Sequence, residues 1–313
     1  MKKAILATLV SAIAVSGAAN AATAEVYGSV GVNYDTQKFG DTDRVDGINA
    51  ARGTDFGIRG EAATTGALTV SYDMRAEFDD EERLEMSRAN VTIGTEMADL
   101  TVGKAESVFH NSTRAFDKFD GHFTGDFERF DSVDAVERAV LTVRPVAGLT
   151  LGMDVAGSEK DGSEFGDALA FAAQYEIAGV TLAGAFERND VEDEEDTRAY
   201  RLGAGYDFSA VGVDGLTVGA AFEELKDRTE DSRDRMFAIT GAYEMTSDLT
   251  LIAGFSTEKG DEDYADRSNI TRVAVDYAIT DAVVATAGYA HISHDETGRD
   301  SDSMGTVGIA YNF

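Results

Sequence analysis

Val307-Gly308-Ile309-Ala310-Tyr311-Asn312-Phe313 closes the chain, and its reading decides the rest. Val307, Ile309, Tyr311 and Phe313 are apolar; Thr306, Gly308, Ala310 and Asn312 between them are small or polar. A side-chain period of two sets one face of a strand against something apolar and the other against something wet. Similar segments recur back to residue 25, which implies one closed antiparallel sheet with hydrocarbon outside and water inside.

Working outward, alternation picks out about sixteen strands: 25–35, 54–62, 67–78, 84–95, 100–106, 135–144, 149–157, 167–177, 180–188, 198–208, 216–226, 235–245, 249–258, 269–279, 283–292 and 303–313. In the third, Leu68, Val70, Tyr72, Met74 and Phe78 share one face, while Thr69, Ser71, Asp73, Arg75 and Glu77 share the other. That is the pattern of a strand crossing a membrane with lipid on one side. The phase slips between Met86 and Ala89, which predicts a bulge there. Short connections (64–66, 97–99, 145–148, 178–179, 210–214, 246–248 and 280–281) alternate with longer acidic ones such as 189–196 and 260–263. Short turns at one rim and long loops at the other suit a transmembrane barrel. A soluble β-sandwich would need one continuous core, whereas here the second face of most strands carries charge.

Residues 1–21 stand apart as a signal peptide: Lys2 and Lys3, an apolar run over 4–15, then Ala19-Asn20-Ala21 as a small-x-small cleavage site. A cut after Ala24 is the alternative, and 22–313 forms a single barrel domain. The apolar run is shorter than the roughly 20 residues a spanning helix needs. Pro145 is the only proline, as expected of a sheet without edges to blunt. The formal charge of −31 excludes nucleic acid as a partner, because phosphate backbones are held by Lys and Arg. Cysteine is absent, so no disulfide or thiol chemistry enters.

His110, His122, His291 and His294 show no triad spacing, and no enzymatic activity is expected. His291 and His294 fall on opposite faces of a strand, and the acidic runs 190–196 and 261–266 lack spaced calcium ligands. Neither a metal site nor a cofactor is expected. By phase, Arg59, Arg75, Arg88 and Arg138 point inward on the second, third, fourth and sixth strands. The longest connection, 107–133, carries Phe116, Phe119, Phe123, Phe127 and Phe130, an odd composition for a solvated loop. It also carries Asp117, Asp120, Asp126, Glu128 and Asp131 against Arg114, Lys118 and Arg129.

Ala24-Glu25-Val26-Tyr27-Gly28 after the signal peptide, and the terminal Val307 to Phe313, resemble the Gram-negative general diffusion porins, the family of trimeric sixteen-stranded barrels. The resemblance runs over the whole mature chain, by pattern more than by identity. It implies an outer-membrane channel for passive diffusion of ions and small hydrophilic solutes. It implies a third external loop, 107–133, folded into the lumen, with Asp117, Asp120, Asp126 and Glu128 facing the wall arginines Arg59, Arg75, Arg88 and Arg138 across a constriction. Phe313 would be the signal read by the barrel-assembly machinery. The acidic loops would be solvated, or bridged by divalent cations to lipopolysaccharide phosphates. Two departures stand out. The second external loop, 79–82, is very short where relatives latch onto a neighbouring subunit, and Asp55 sits where many offer a base. The acidic excess implies cation preference. A solute-specific channel, and a receptor barrel with a plugged lumen, are the alternatives.

Overall fold

The computed structural model describes residues 23–40, 44–49, 54–63, 67–78, 83–112, 114–119, 137–157, 165–190, 196–229, 232–260, 267–295 and 301–313. Seventeen strand segments follow in chain order: β1 (Thr23–Lys38), β2 (Val45–Asn49), β3 (Asp55–Ala63), β4 (Thr69–Phe78), β5 (Leu84–Gly94), β6 (Ala98–Lys104), β7 (Glu137–Val146), β8 (Leu149–Ala156) and β9 (Ala168–Ile177). The second half comprises β10 (Val180–Asp190), β11 (Asp196–Asp207), β12 (Leu216–Asp227), β13 (Ser232–Thr246), β14 (Leu249–Lys259), β15 (Ser268–Thr280), β16 (Val283–His294) and β17 (Asp302–Asn312). One helical turn, α1 (Val108–Asn111), follows β6, and a 3-10 turn spans Phe208–Val211.

Every pairing is antiparallel; apart from β1 with β3 and with β17 the partners are chain neighbours, and β1 closes the sheet against β17 from Ser29↔Asn312 to Lys38↔Ser303. The ladder runs to the last residue, where Phe313 and Gly28 exchange both backbone hydrogen bonds at 3.0 Å. The segment 36–53 reads as a connection from sequence. The structure carries β1 on to Lys38 and returns it as β2. The lower half of β1 pairs with β3 and the upper half with β2, so β2 and β3 share one position in the wall. Seventeen segments thus make sixteen staves, and in lipid a closed ladder leaves no backbone group unpaired.

The apolar side chains form a belt rather than a core. Val26, Val30, Val32 and Tyr34 on β1, and Val307, Ile309 and Tyr311 on β17, are all exposed on one face. The opposite, inner face carries the charged and small residues. Small buried clusters form there around Val108 and Phe109, Phe116, and Phe119.

Candidate functional site

On β5 an extra residue decides which way an arginine points. Arg75 pairs with Arg88 and Ala76 with Met86, so Ser87 is bulged out of the ladder where the sequence phase slips. With strict alternation Arg88 would share the lipid face of Leu84 and Met86. The bulge turns it inward. Its guanidinium meets Asp73 at 3.2 Å and Glu106 in a still shorter contact.

That arginine belongs to a ladder of alternating charge. Glu25, Arg59 and Asp73 are successive register partners across β1, β3 and β4. Arg59 Nε donates to Glu25 at 2.8 Å, and its guanidinium lies 4.9 Å from the centre of the Tyr27 ring. The Tyr27 hydroxyl donates to Asp73 at 2.5 Å. Arg88 then joins Asp73 to Glu106, and Arg114 closes the run on Glu106 at 3.2 Å. Acid and base alternate along this wall, lining a cavity of about 780 Å³ together with Glu61, Asn90, Thr92 and Thr101. Four carboxylates and three guanidiniums line it, leaving the balance slightly negative.

The other predicted wall arginines are also matched. Arg75 is bonded to Asp55 at 2.8 Å, which accounts for an acid on the second stave. Arg75 and Arg88 are like charges in register, a destabilising arrangement relieved because each turns to its own acid. Arg138 lies on the inner face but is only 2% exposed, held at 3.0 Å by Asp154. It therefore belongs to an anchor under residues 107–112 rather than to an open passage.

That anchor is built from partners far apart in sequence. Ser107 caps α1, its oxygen accepting from the Phe109 and His110 amides, and its hydroxyl donates to Glu187 at 2.7 Å. The Val108 amide donates to Asp154 at 2.6 Å. Arg201, fully buried with Glu223, donates to the Phe109 carbonyl at 3.1 Å and lies 4.1 Å from the centre of its ring. Further on, Thr240 donates to the Phe116 carbonyl at 2.5 Å and accepts the Lys118 amide at 3.3 Å. Phe116 and Phe119 enter slots that only glycine leaves open. A Cβ on Gly203 would stand 2.3 Å from the Phe116 ring, and one on Gly254 would stand 2.7 Å from the Phe119 ring. Residues 107–112 and 114–119 thus run along the inner face from β8 to β15.

Asp117 is 8% exposed, and its oxygen accepts the Phe119 amide at 2.8 Å, so the carboxylate fixes its own turn. Burial alone would raise the Glu106 carboxyl, but Arg88, Arg114 and His110 outweigh it and hold the group below its usual 4.5. Burial lowers Lys118 below an ordinary lysine, against the pull of Asp117 and Asp207. Asp120, Asp126, Glu128, Asp131, Arg129, Phe123, Phe127 and Phe130 lie outside the described residues, as do residues 1–21 and 79–82.

The sequence missed Glu25, Asp73 and Glu106 as partners, although their inward phase was readable. It also missed a cluster at the far rim. His294 stands between Ser268, 3.0 Å from Nδ1, and Asp302, 2.9 Å from Nε2. The other Asp302 oxygen accepts the Gly40 amide at 2.8 Å, so this imidazole ties three staves and the first long-rim turn together. Among the described residues no group of histidine and acid side chains suits a metal ion.

Among curated protein sequences none matches this chain significantly. The anion-selective porin from Comamonas acidovorans is similar in fold at a TM-score of 0.81, with 14% identity over 94% of this chain and 100% of that one. The outer-membrane channel DcaP of Acinetobacter baumannii follows at 0.75, with 12% identity over 95% and 99%. OmpT of Vibrio cholerae in its trimer form gives 0.69, with 10% identity over 94% and 100%. At these identities the likeness carries the fold alone. A family model described as Gram-negative porin matches residues 7–297, and over that span the chain belongs to the Gram-negative porin family.

Proposed function

We propose that the barrel is a water-filled outer-membrane channel for passive diffusion of ions and small hydrophilic solutes, with a preference for cations. The observation that carries this reading is the alternating ladder on the inner wall. Every wall arginine predicted for the constriction already has a carboxylate of its own wall: Glu25 for Arg59, Asp55 for Arg75, Asp73 and Glu106 for Arg88, Asp154 for Arg138. A guanidinium so matched offers a permeating anion little net attraction. The field near this wall then changes sign over one strand spacing instead of running from one side of the passage to the other. What is left to act at longer range is the acidic excess of the chain, −31 overall. A negative lumen gathers counterions and depletes co-ions, and it does so more strongly where the passage is narrow. The Comamonas porin, anion-selective by description, shares the fold at 14% identity. Selectivity is set by side chains, and the fold does not carry it.

In this reading the connection 107–133 narrows the lumen. Residues 107–112 and 114–119 are fastened to the inner wall, and Glu106 stands with the wall ladder at the passage. The exported chain loses residues 1–21, Phe313 serves assembly, and three copies form the working unit. The trimer form of the Vibrio fold-mate supports that last point. Single-channel recording of purified protein in a planar bilayer tests the function. A steady open current, with liposome swelling by small sugars and amino acids, is expected. A barrel that inserts but passes no steady current would be a plugged receptor barrel instead.

A further inference from the structure

The outer surface has its own concentration of charge, at the long-loop rim of β10 to β14. Arg188, Arg198, Lys226 and Arg233 are successive register partners across four neighbouring staves. In each strand they take the phase of the exposed belt residues Leu182, Leu202, Phe222 and Phe237, so they point outward. Arg235 and Lys259, paired with each other across β13 and β14, extend the patch. The whole chain has only 27 Lys and Arg residues against 58 Asp and Glu, yet six of those bases gather here. At the same height β15 to β17 present Asn269, Thr271, His291 and Ser303.

Like charges directly opposite each other in a sheet cost stability. Glu224 offsets part of this, bonded to Arg235 at 2.8 Å and Lys226 at 3.0 Å, with Arg233 at 3.9 Å. Asp196 serves Arg228 at 2.8 Å and Arg198 at 4.0 Å. With Asp190, the register partner of Asp196, three carboxylates stand among these bases, and among the described residues the patch stays positive. Arg188 Nε and Arg198 Nε are buried without a hydrogen-bond partner among the described residues. Directly below come the aromatics Phe186 and Tyr200, ring centroids 5.2 Å apart, with Lys226 Nζ 5.2 Å from the centre of the Tyr200 ring. Aromatic residues mark the level where hydrocarbon gives way to headgroups. The row of bases therefore stands at the depth of lipid phosphates.

We infer that the outward faces of β10 to β14 bind the phosphate groups of outer-leaflet glycolipid headgroups directly. Guanidinium groups hold phosphate oxygens by paired, charge-assisted hydrogen bonds. The row of four register partners is itself cationic, so a phosphate can meet it directly, and this contact differs from divalent bridging by the acidic loops. It also explains why evolution would tolerate cations in register: the opposing charge comes from the membrane.

The test uses the full-length barrel in detergent, probed with bis-phosphorylated lipid A. Lipid A is expected to bind wild type and raise its unfolding temperature. Arg198→Gln/Lys226→Gln/Arg233→Gln is expected to bind on the order of tenfold more weakly, each lost pair being charge-assisted. In lipid-free detergent the variant should unfold no earlier than wild type, since like-charge repulsion is removed. Should it fail to fold, Arg188→Gln alone is measured, with a smaller loss of binding expected. Undiminished binding in the variants overturns the inference, as does equal binding of dephosphorylated lipid A. Release of lipid A by EDTA overturns it too, by assigning the phosphates to metal bridges. Excess inorganic phosphate should leave the lipid bound; full displacement would mean a free-anion site instead.

Discussion

Inside the barrel, each arginine of the β1 to β5 wall faces or reaches a carboxylate: Glu25, Arg59 and Asp73 in register, with Arg88 joining Asp73 to Glu106. Outside, at the long-loop rim, Arg188, Arg198, Lys226 and Arg233 face one another. The same sheet geometry thus gives matched charge where water and solutes pass and unmatched charge where lipid headgroups lie. Matched pairs keep guanidiniums on the wall and out of the solute's way. Unmatched rows call for an external counter-charge. Side-chain phase alone separates the two settings, and at Arg88 one bulged residue decides which setting applies.

The comparison is sharpest where a pair is sealed. Arg201 and Glu223 are each about 1% exposed in their side chains and are bonded at 2.7 Å through Nε. Arg201→Met strands Glu223 and should cost about 3–5 kcal/mol in urea unfolding, the range for breaking a buried ion pair. Phe116→Ala should lower stability comparably, by about 3–5 kcal/mol, and Gly203→Val should unseat the same ring by overpacking. Both should raise single-channel conductance as residues 114–119 come off the wall. At the outer row the sign reverses. Arg198→Glu creates alternation with Arg188 and Lys226, and should raise unfolding stability in lipid-free detergent by about 0.2–1 kcal/mol. A loss there would mean that the row is already neutralised within the protein.

Acid is the mildest probe. The Glu106 pKa is depressed in the folded protein, so its ion pairs contribute stability above the ordinary value of 4.5 and lose it as pH falls through the lower folded value. Reversal potentials should therefore stay level between pH 7 and about pH 5, as far as Glu106 governs them. A midpoint inside that range that vanishes in Glu106→Gln would contradict the lowered value.

Much of this architecture was legible in the sequence, because a period of two needs no tertiary context. The sixteen alternating segments became sixteen staves, and the phase slip near Arg88 became the Ser87 bulge. β2 was hidden because Val45-Asp46-Gly47-Ile48-Asn49 is short and interrupted by Gly47. The inward phase of Asp73 was readable, but its place between Arg59 and Arg88 depends on register. The anchor was less accessible still, since Ser107 finds Glu187 across 80 residues. Arg188, Arg198, Lys226 and Arg235 were visible only as the places where alternation stops. The register sets the first three side by side with Arg233, and Arg235 opposite Lys259.

One measurement tests directly whether the inner-wall arginines are neutralised by their own wall. Reversal potentials under a KCl gradient are recorded in a planar bilayer for wild type and for Asp73→Asn/Glu106→Gln, whose loss leaves Arg88 and Arg114 without their partners on the ladder. Cation preference is expected in wild type, with a clear shift toward anions in the variant. Anion preference in wild type, or identical reversal potentials in the two proteins, would contradict that neutralisation.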